Sequence, residues 1–213
     1  MSQLKNEVSS SDFEVEAGDR QNAPKVGILR AVDTLRVGLT VLALAAGAAV
    51  LGLGADTLAV YKATSLPGDY LLHLWPEQFD IRPATSLIAC GVLVLVANSL
   101  ALAMSKVSFV GSRYLALATV SVAAPVIGLI GALVAMSIFY AVNASTKVDT
   151  VQSWSCRWDG VSMDMHPHFG ALCKESKAAL TLATLLVPVE ALIIGVAGYE
   201  AVLLRRINQG LHH

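Results

Sequence analysis

Four stretches of this chain stay apolar for the length an α-helix needs to cross a bilayer, about 20 residues for a hydrocarbon layer of ~30 Å. They are residues 37–60, uncharged until Asp56; 84–104 and 114–142, with no charged residue; and 178–204, interrupted by Glu190 and Glu200. None alternates with a period of two, so a β-barrel is not expected. The expected fold is all-α, an integral membrane four-helix bundle. The composition agrees. Only 15% of residues are charged and 55% are hydrophobic, whereas soluble proteins carry roughly 25% charge. That excludes an ordinary soluble domain, a disordered chain and a nucleic-acid binder, and makes membrane lipids the first expected partner.

The rest of the chain divides around these spans. Residues 1–24 are polar and acidic and read as a disordered cytoplasmic tail. In 25–36, Ile28, Val32 and Leu35 recur at helical spacing among Lys25, Arg30 and Arg36, as in an amphipathic segment lying on the inner leaflet. Residues 37–204 form the transmembrane domain and 205–213 a second cytoplasmic tail. No early apolar segment with a small-residue cleavage site is present, so the first span is expected to act as an uncleaved signal.

An even number of spans puts both termini on one side. With the termini and the 104–114 link inside, nine of the 15 Lys and Arg residues are cytoplasmic. Arg36, Lys106, Arg113, Arg205 and Arg206 abut the spans there, which is the positive-inside pattern.

The cysteines fit that orientation. Cys90 lies within the second span and reads as a small packing residue. Cys156 and Cys173 fall in the second outer loop, where an oxidising compartment lets them pair and close it. Such closure contributes roughly 3 kcal/mol in the chain-entropy view. Asn143-Ala144-Ser145 is a glycosylation sequon at the very end of span three, too close to the membrane to be used.

The same loop reads Trp154-Ser155-Cys156-Arg157-Trp158. Trp154 and Trp158 are either interfacial anchors, because indole suits the headgroup zone, or an exposed contact patch for a partner. The first outer loop carries Tyr70, Leu71, Leu72, Leu74, Trp75 and Phe79, suiting a short segment lying on the outer leaflet. Asp164, His166 and His168 match no strong metal spacing; a solvated loop turning at Pro167 is the simpler reading, and no metal is expected.

Glu190 is the most unusual residue. It lies about 12 residues, or roughly 18 Å, into span four, near the midplane. An ionisable group there costs on the order of 2.5–3.5 kcal/mol on insertion scales, so it should face the bundle interior. Asn98 of span two lies at the same depth and is the expected partner. Two readings compete: an interhelical hydrogen bond that fixes packing, or a proton, ion or substrate path. Pro188 and Pro125 are expected as kinks. Small residues four apart, such as Ala43/Gly47, Ala48/Gly52, Ala124/Gly128, Gly128/Ala132, Gly131/Ala135 and Ala191/Gly195, suit close helix approach.

Several chemistries lack their residues. All five histidines lie outside the spans, so no bis-histidine haem is expected. There is no Cys-x-x-Cys, no phosphate-binding glycine loop and no His/Asp/Glu cluster within the spans. No repeat relates spans one and two to three and four. No catalytic activity and no cofactor are expected.

With cytoplasmic termini, a short inner link and the Cys156/Cys173 loop, the layout resembles the broad four-span class of MARVEL-domain and occludin-like proteins, and is similar to four-span proteins of filamentous fungi. The Cys-Cys-Gly of tetraspanins, the first-loop Trp and Cys signature of claudins and the charged spans of the Casparian-strip branch are not found here. The resemblance implies a structural, membrane-organising role, through lateral assembly with other copies or other membrane proteins, in the plasma membrane. The alternative is a small channel or carrier subunit that uses Glu190.

Overall fold

The computed structural model describes residues 9–65, 75–76, 78–107, 114–144, 148–161 and 167–210. The elements run α1 (Ser9–Thr64), β1 (Phe79–Asp80), α2 (Arg82–Val107), α3 (Tyr114–Asn143), β2 (Asp149–Thr150), α4 (Val151–Arg157) and α5 (Phe169–Gly210). Four segments, Gly27–Thr64, Arg82–Ser105, Thr119–Asn143 and Phe169–Leu203, are long and apolar enough to cross a membrane.

α1 packs on α2 and α5, and α3 packs on the same two, so the long helices close a ring in the order α1, α2, α3, α5. Apolar side chains also cover the outside of the ring. Leu42, Val96, Leu100, Ile130, Val134, Leu185 and Leu192 are exposed on it. In water that surface would be a large apolar patch; against lipid it is the expected exterior.

Two boundaries differ from expectation. The segment through residue 24 is helical from Ser9 on, and 25–36 continues unbroken into the first span instead of forming a separate surface segment. Extending a helix that the apolar span has already nucleated requires no new nucleus. Residues 1–8 lie outside the described set. α5 begins at Phe169, nine residues before the expected start, because its first turns pack in the outer cap.

The core of the ring is built from small side chains. Ala43, Ala132, Ala135, Ala179 and Ala183 are buried beside Leu186, Val50 and Val94. α1 and α2 come closest at Gly47 and Gly91. A Cβ on Gly91 would lie 2.9 Å from the Gly47 carbonyl oxygen and equally close to Leu51. Of the small-residue pairs, Ala43/Gly47, Ala124/Gly128, Gly128/Ala132 and Gly131/Ala135 face the bundle. Gly52 and Gly195 face outward with nothing near them.

The outer connections join into a cap. β1 pairs with β2 in parallel, Phe79 with Asp149 and Asp80 with Thr150. Thr150 caps α4 in a capping box with Ser153, satisfying two backbone donors at once. The Cys156–Cys173 disulfide ties α4 to α5, with Cα atoms 4.8 Å apart. Trp75 and Phe79 were expected on the outer leaflet, but they turn inward. Trp75 is 6% exposed in a cluster with Val151, Phe169 and Leu172. Tyr61 stacks on Phe79 at 4.6 Å, and the Trp75 indole N–H donates to Thr64 Oγ1 at 3.0 Å. The cluster removes apolar rings from water and gives the buried indole its acceptor. Tyr70, Leu71, Leu72 and Leu74 lie outside the described residues.

Asn143 belongs to this cap. Its Nδ2 donates to Gln152 Oε1 at 2.6 Å and its Oδ1 accepts from Thr150 Oγ1 at 2.7 Å. The nitrogen a glycan would need is therefore already engaged.

The Gly91 approach generates a direct test. Gly91→Leu should lower unfolding stability by about 1–3 kcal/mol, the usual cost of overpacking, when measured by denaturation of the purified protein. An unchanged midpoint would contradict the α1–α2 contact.

Candidate functional site

The centre of the bundle holds two polar side chains with no exposed surface, Glu190 on α5 and Asn98 on α2. Asn98 Nδ2 donates to Glu190 Oε1 at 2.9 Å. The depth count that matched the two residues is thus met by a contact. Among buried side-chain atoms, Asn98 Oδ1 and Glu190 Oε2 have no hydrogen-bond partner. Gly128 of α3 makes the room: a Cβ there would collide with the Glu190 carboxyl. One helix thus supplies the carboxyl, a second its donor and a third the space. Gly128 was legible only as a packing glycine, because nothing in the sequence aligns it against Glu190.

Toward the ends of the chain lies a second polar cluster. Arg36 of α1 donates from Nη1 to Ser121 Oγ of α3 and from Nη2 to Asp33 Oδ1, each at 2.8 Å. Its Nε pairs with Glu200 Oε2 of α5 at 3.1 Å. The Arg36 side chain is only 15% exposed, so the guanidinium bridges three helices rather than lying free at the surface. In the sequence alone, Arg36 reads as a topology charge and Glu200 as an interruption of a span. Opposite charges at the same end of the first and last spans were the available signal.

Between the two clusters is a small cavity of about 20 Å³ lined by Arg36, Thr40, Asn98, Ser105, Ser121 and Pro125, among others. That is room for about one water. Pro125 brings no N–H to its helix, so the Ser121 carbonyl lacks its usual donor.

At the other end, Trp154 and Trp158 pack on each other with centroids 5.8 Å apart, and the Arg157 guanidinium sits 5.6 Å over the Trp154 ring. Trp154 is half-buried against the aromatic cluster. Trp158 is 42% exposed and Val161 50%. Of the two tryptophans, Trp158 therefore offers the accessible face. Asp80 is buried and gripped by Arg82, with Nη2 to Oδ2 at 2.5 Å. The Arg82 hydrogen bond holds the Asp80 carboxyl below its ordinary range. Asp56, near the outer end of the first span, is exposed.

Cys90 is buried in the bundle core, where a Cβ on Gly131 of α3 would lie 4.0 Å from its Cα. Asp164 and His166 lie outside the described residues. Among the described residues no group of three His, Cys, Asp or Glu side chains could hold a metal.

Comparison with family models, with curated proteins and with solved structures finds no significant match to this chain.

The central pair predicts a coupling. In a double-mutant cycle with Asn98→Ala and Glu190→Ala, the interaction should measure about 0.6–2 kcal/mol, the range found for polar pairs between membrane helices. Gly128→Ala should lower the thermal midpoint of the wild type and have far less effect once Glu190→Ala has emptied the space. Additive effects throughout would show that the three residues do not share one site.

Proposed function

We propose that this chain is a multi-pass membrane protein whose role is structural, organising its membrane by lateral assembly and by contacts of its outer cap. The observation that carries this reading is the cap itself. A disulfide, a capping box and an aromatic cluster fix α4 rigidly over the bundle and hold Trp158 and Val161 exposed. Exposed tryptophan on a preorganised surface is typical of contact hot spots, because little ordering cost remains to be met on binding. The apolar exterior of the ring supports insertion, and the excess of basic residues near the termini supports a cytoplasmic location for both ends. The disulfide then faces an oxidising compartment, which suits the plasma membrane. On this reading the protein has no catalytic centre, and the Asn98–Glu190 hydrogen bond serves to fix helix packing. A role like that of MARVEL and occludin-like proteins is part of the same proposal.

The orphan oxygens of Asn98 and Glu190 and the cavity beside Asn98 favour a second reading, a small channel or carrier subunit that uses Glu190.

Assembly and flux separate the two. In bilayers at controlled density, single-molecule photobleaching should report assemblies of this chain, and Trp158→Ala should shift them toward single copies. Monomers at every density, together with cation or proton flux that Glu190→Gln abolishes, would overturn the structural role and establish the second reading.

A further inference from the structure

The carboxyl at the bundle centre has one donor where a buried carboxylate ordinarily gathers two or three. Asn98 Nδ2 serves Glu190 Oε1, while Glu190 Oε2 has no partner. The arrangement is complete for an acid that carries its proton on Oε2 and accepts through Oε1. It is incomplete for a carboxylate, which would draw in water or another donor. The question is where such water, and the proton with it, could enter.

The surroundings answer it. Toward the disulfide end, the core beside Glu190 consists of side chains with almost no exposed surface: Leu186, Ala183, Leu87, Ala135 and Phe139, together with Cys90. A cavity of about 20 Å³ beyond Leu87 and Phe139 and an apolar groove of about 310 Å³ past Cys90 and Ala135 are lined by neither Glu190 nor Asn98. Toward the termini, the neighbouring volume is polar. Asn98 presents its unpartnered Oδ1 beside a cavity edged by the Thr40, Ser105 and Ser121 hydroxyls. Along α2, Asn98 and Ser105 are seven residues apart, roughly 10 Å at ~1.5 Å per residue.

Arg36 stands at the mouth, its charge offset by Asp33 and Glu200. Among the described residues, the charged and titratable groups facing this axis are therefore Arg36 and Asp33 from α1, Cys90 from α2 and Glu200 from α5. α3 contributes Gly128, Pro125 and Ser121, none of which is charged.

We propose that Glu190 is a proton-binding site that exchanges with one face only, the face bearing the chain termini, through the cavity between Arg36 and Asn98. On release, the O–H bond at Oε2 breaks. The proton passes to water admitted past Asn98 and leaves beside Arg36, and Glu190 remains as a carboxylate solvated by that water. Uptake is the reverse, so no oxidant or co-substrate is needed. A site open to one face binds protons without conducting them. It makes the bundle responsive to pH on the terminal side while leaving the membrane tight. The inference rests on the membrane placement proposed above, but not on the role of the outer cap.

The test uses the full chain reconstituted in liposomes, with resistance to alkaline extraction established first, so that a failure of insertion appears before any titration. Infrared difference spectra are then recorded while pH is stepped on one face and clamped on the other. The expected result is a protonated-carboxyl band that is lost in Glu190→Gln and follows the pH of the terminal face. Ser121→Leu, which fills the cavity, should slow its exchange by at least an order of magnitude, and Ser105→Leu gives a second plug should the first variant not fold. A band that follows the opposite face would overturn the proposal, as would one indifferent to pH between about 4 and 10, or exchange unaffected in the folded plug variants.

Discussion

A carboxyl and an amide cannot sit in the middle of an apolar bundle without each other. Each unpaired polar group there costs free energy on the scale of a lost hydrogen bond or more. The Asn98–Glu190 contact therefore fixes the rotation of α2 relative to α5 and the depth at which they meet. α3 approaches because Gly128 leaves the carboxyl its space. A ring of alanine and leucine contacts alone would tolerate sliding, since one apolar face fits another in many registers. The polar pair selects one of them.

Two further constraints act at the ends of the same ring. On the side of the termini, Arg36 reaches Ser121, Asp33 and Glu200 and so ties α1, α3 and α5. On the far side, the disulfide and the aromatic cluster around Trp75 tie the loops to α1 and α5. Specific polar or covalent contacts thus sit at three levels, with close small-residue packing between them. The outer cap and the buried carboxyl need not serve one purpose. The cap holds Trp158 and Val161 exposed, and the carboxyl is the group to which proton binding from one face is proposed.

Much of this was legible in the residues. Apolar length alone locates four helices, because a bilayer tolerates few other structures. Cys156 and Cys173, alone in one loop, pair as expected. Glu190 and Asn98 could be matched because depth along a span is a one-dimensional count. What the residues did not reveal depends on rotation and on contacts distant in the chain. Gly128 looks like any other helix glycine until α3 is turned toward α5. Trp75 and Phe79 read as lipid-facing because an aromatic run near a membrane has two apolar destinations, and only the β1–β2 pairing turns it inward. The helical start at Ser9 was hidden by polar composition, which signals disorder in isolation but not when a long helix lies directly downstream.

The most direct test measures the central contact in a bilayer. Solid-state NMR of the reconstituted protein, with the Asn98 side-chain nitrogen and the Glu190 carboxyl carbon labelled, reports their separation through dipolar coupling. Strong coupling, corresponding to hydrogen-bond distance, is the expected result. Absence of coupling in folded, inserted protein would mean that Glu190 faces elsewhere, and it would contradict both the paired bundle and the single-sided proton site built on it.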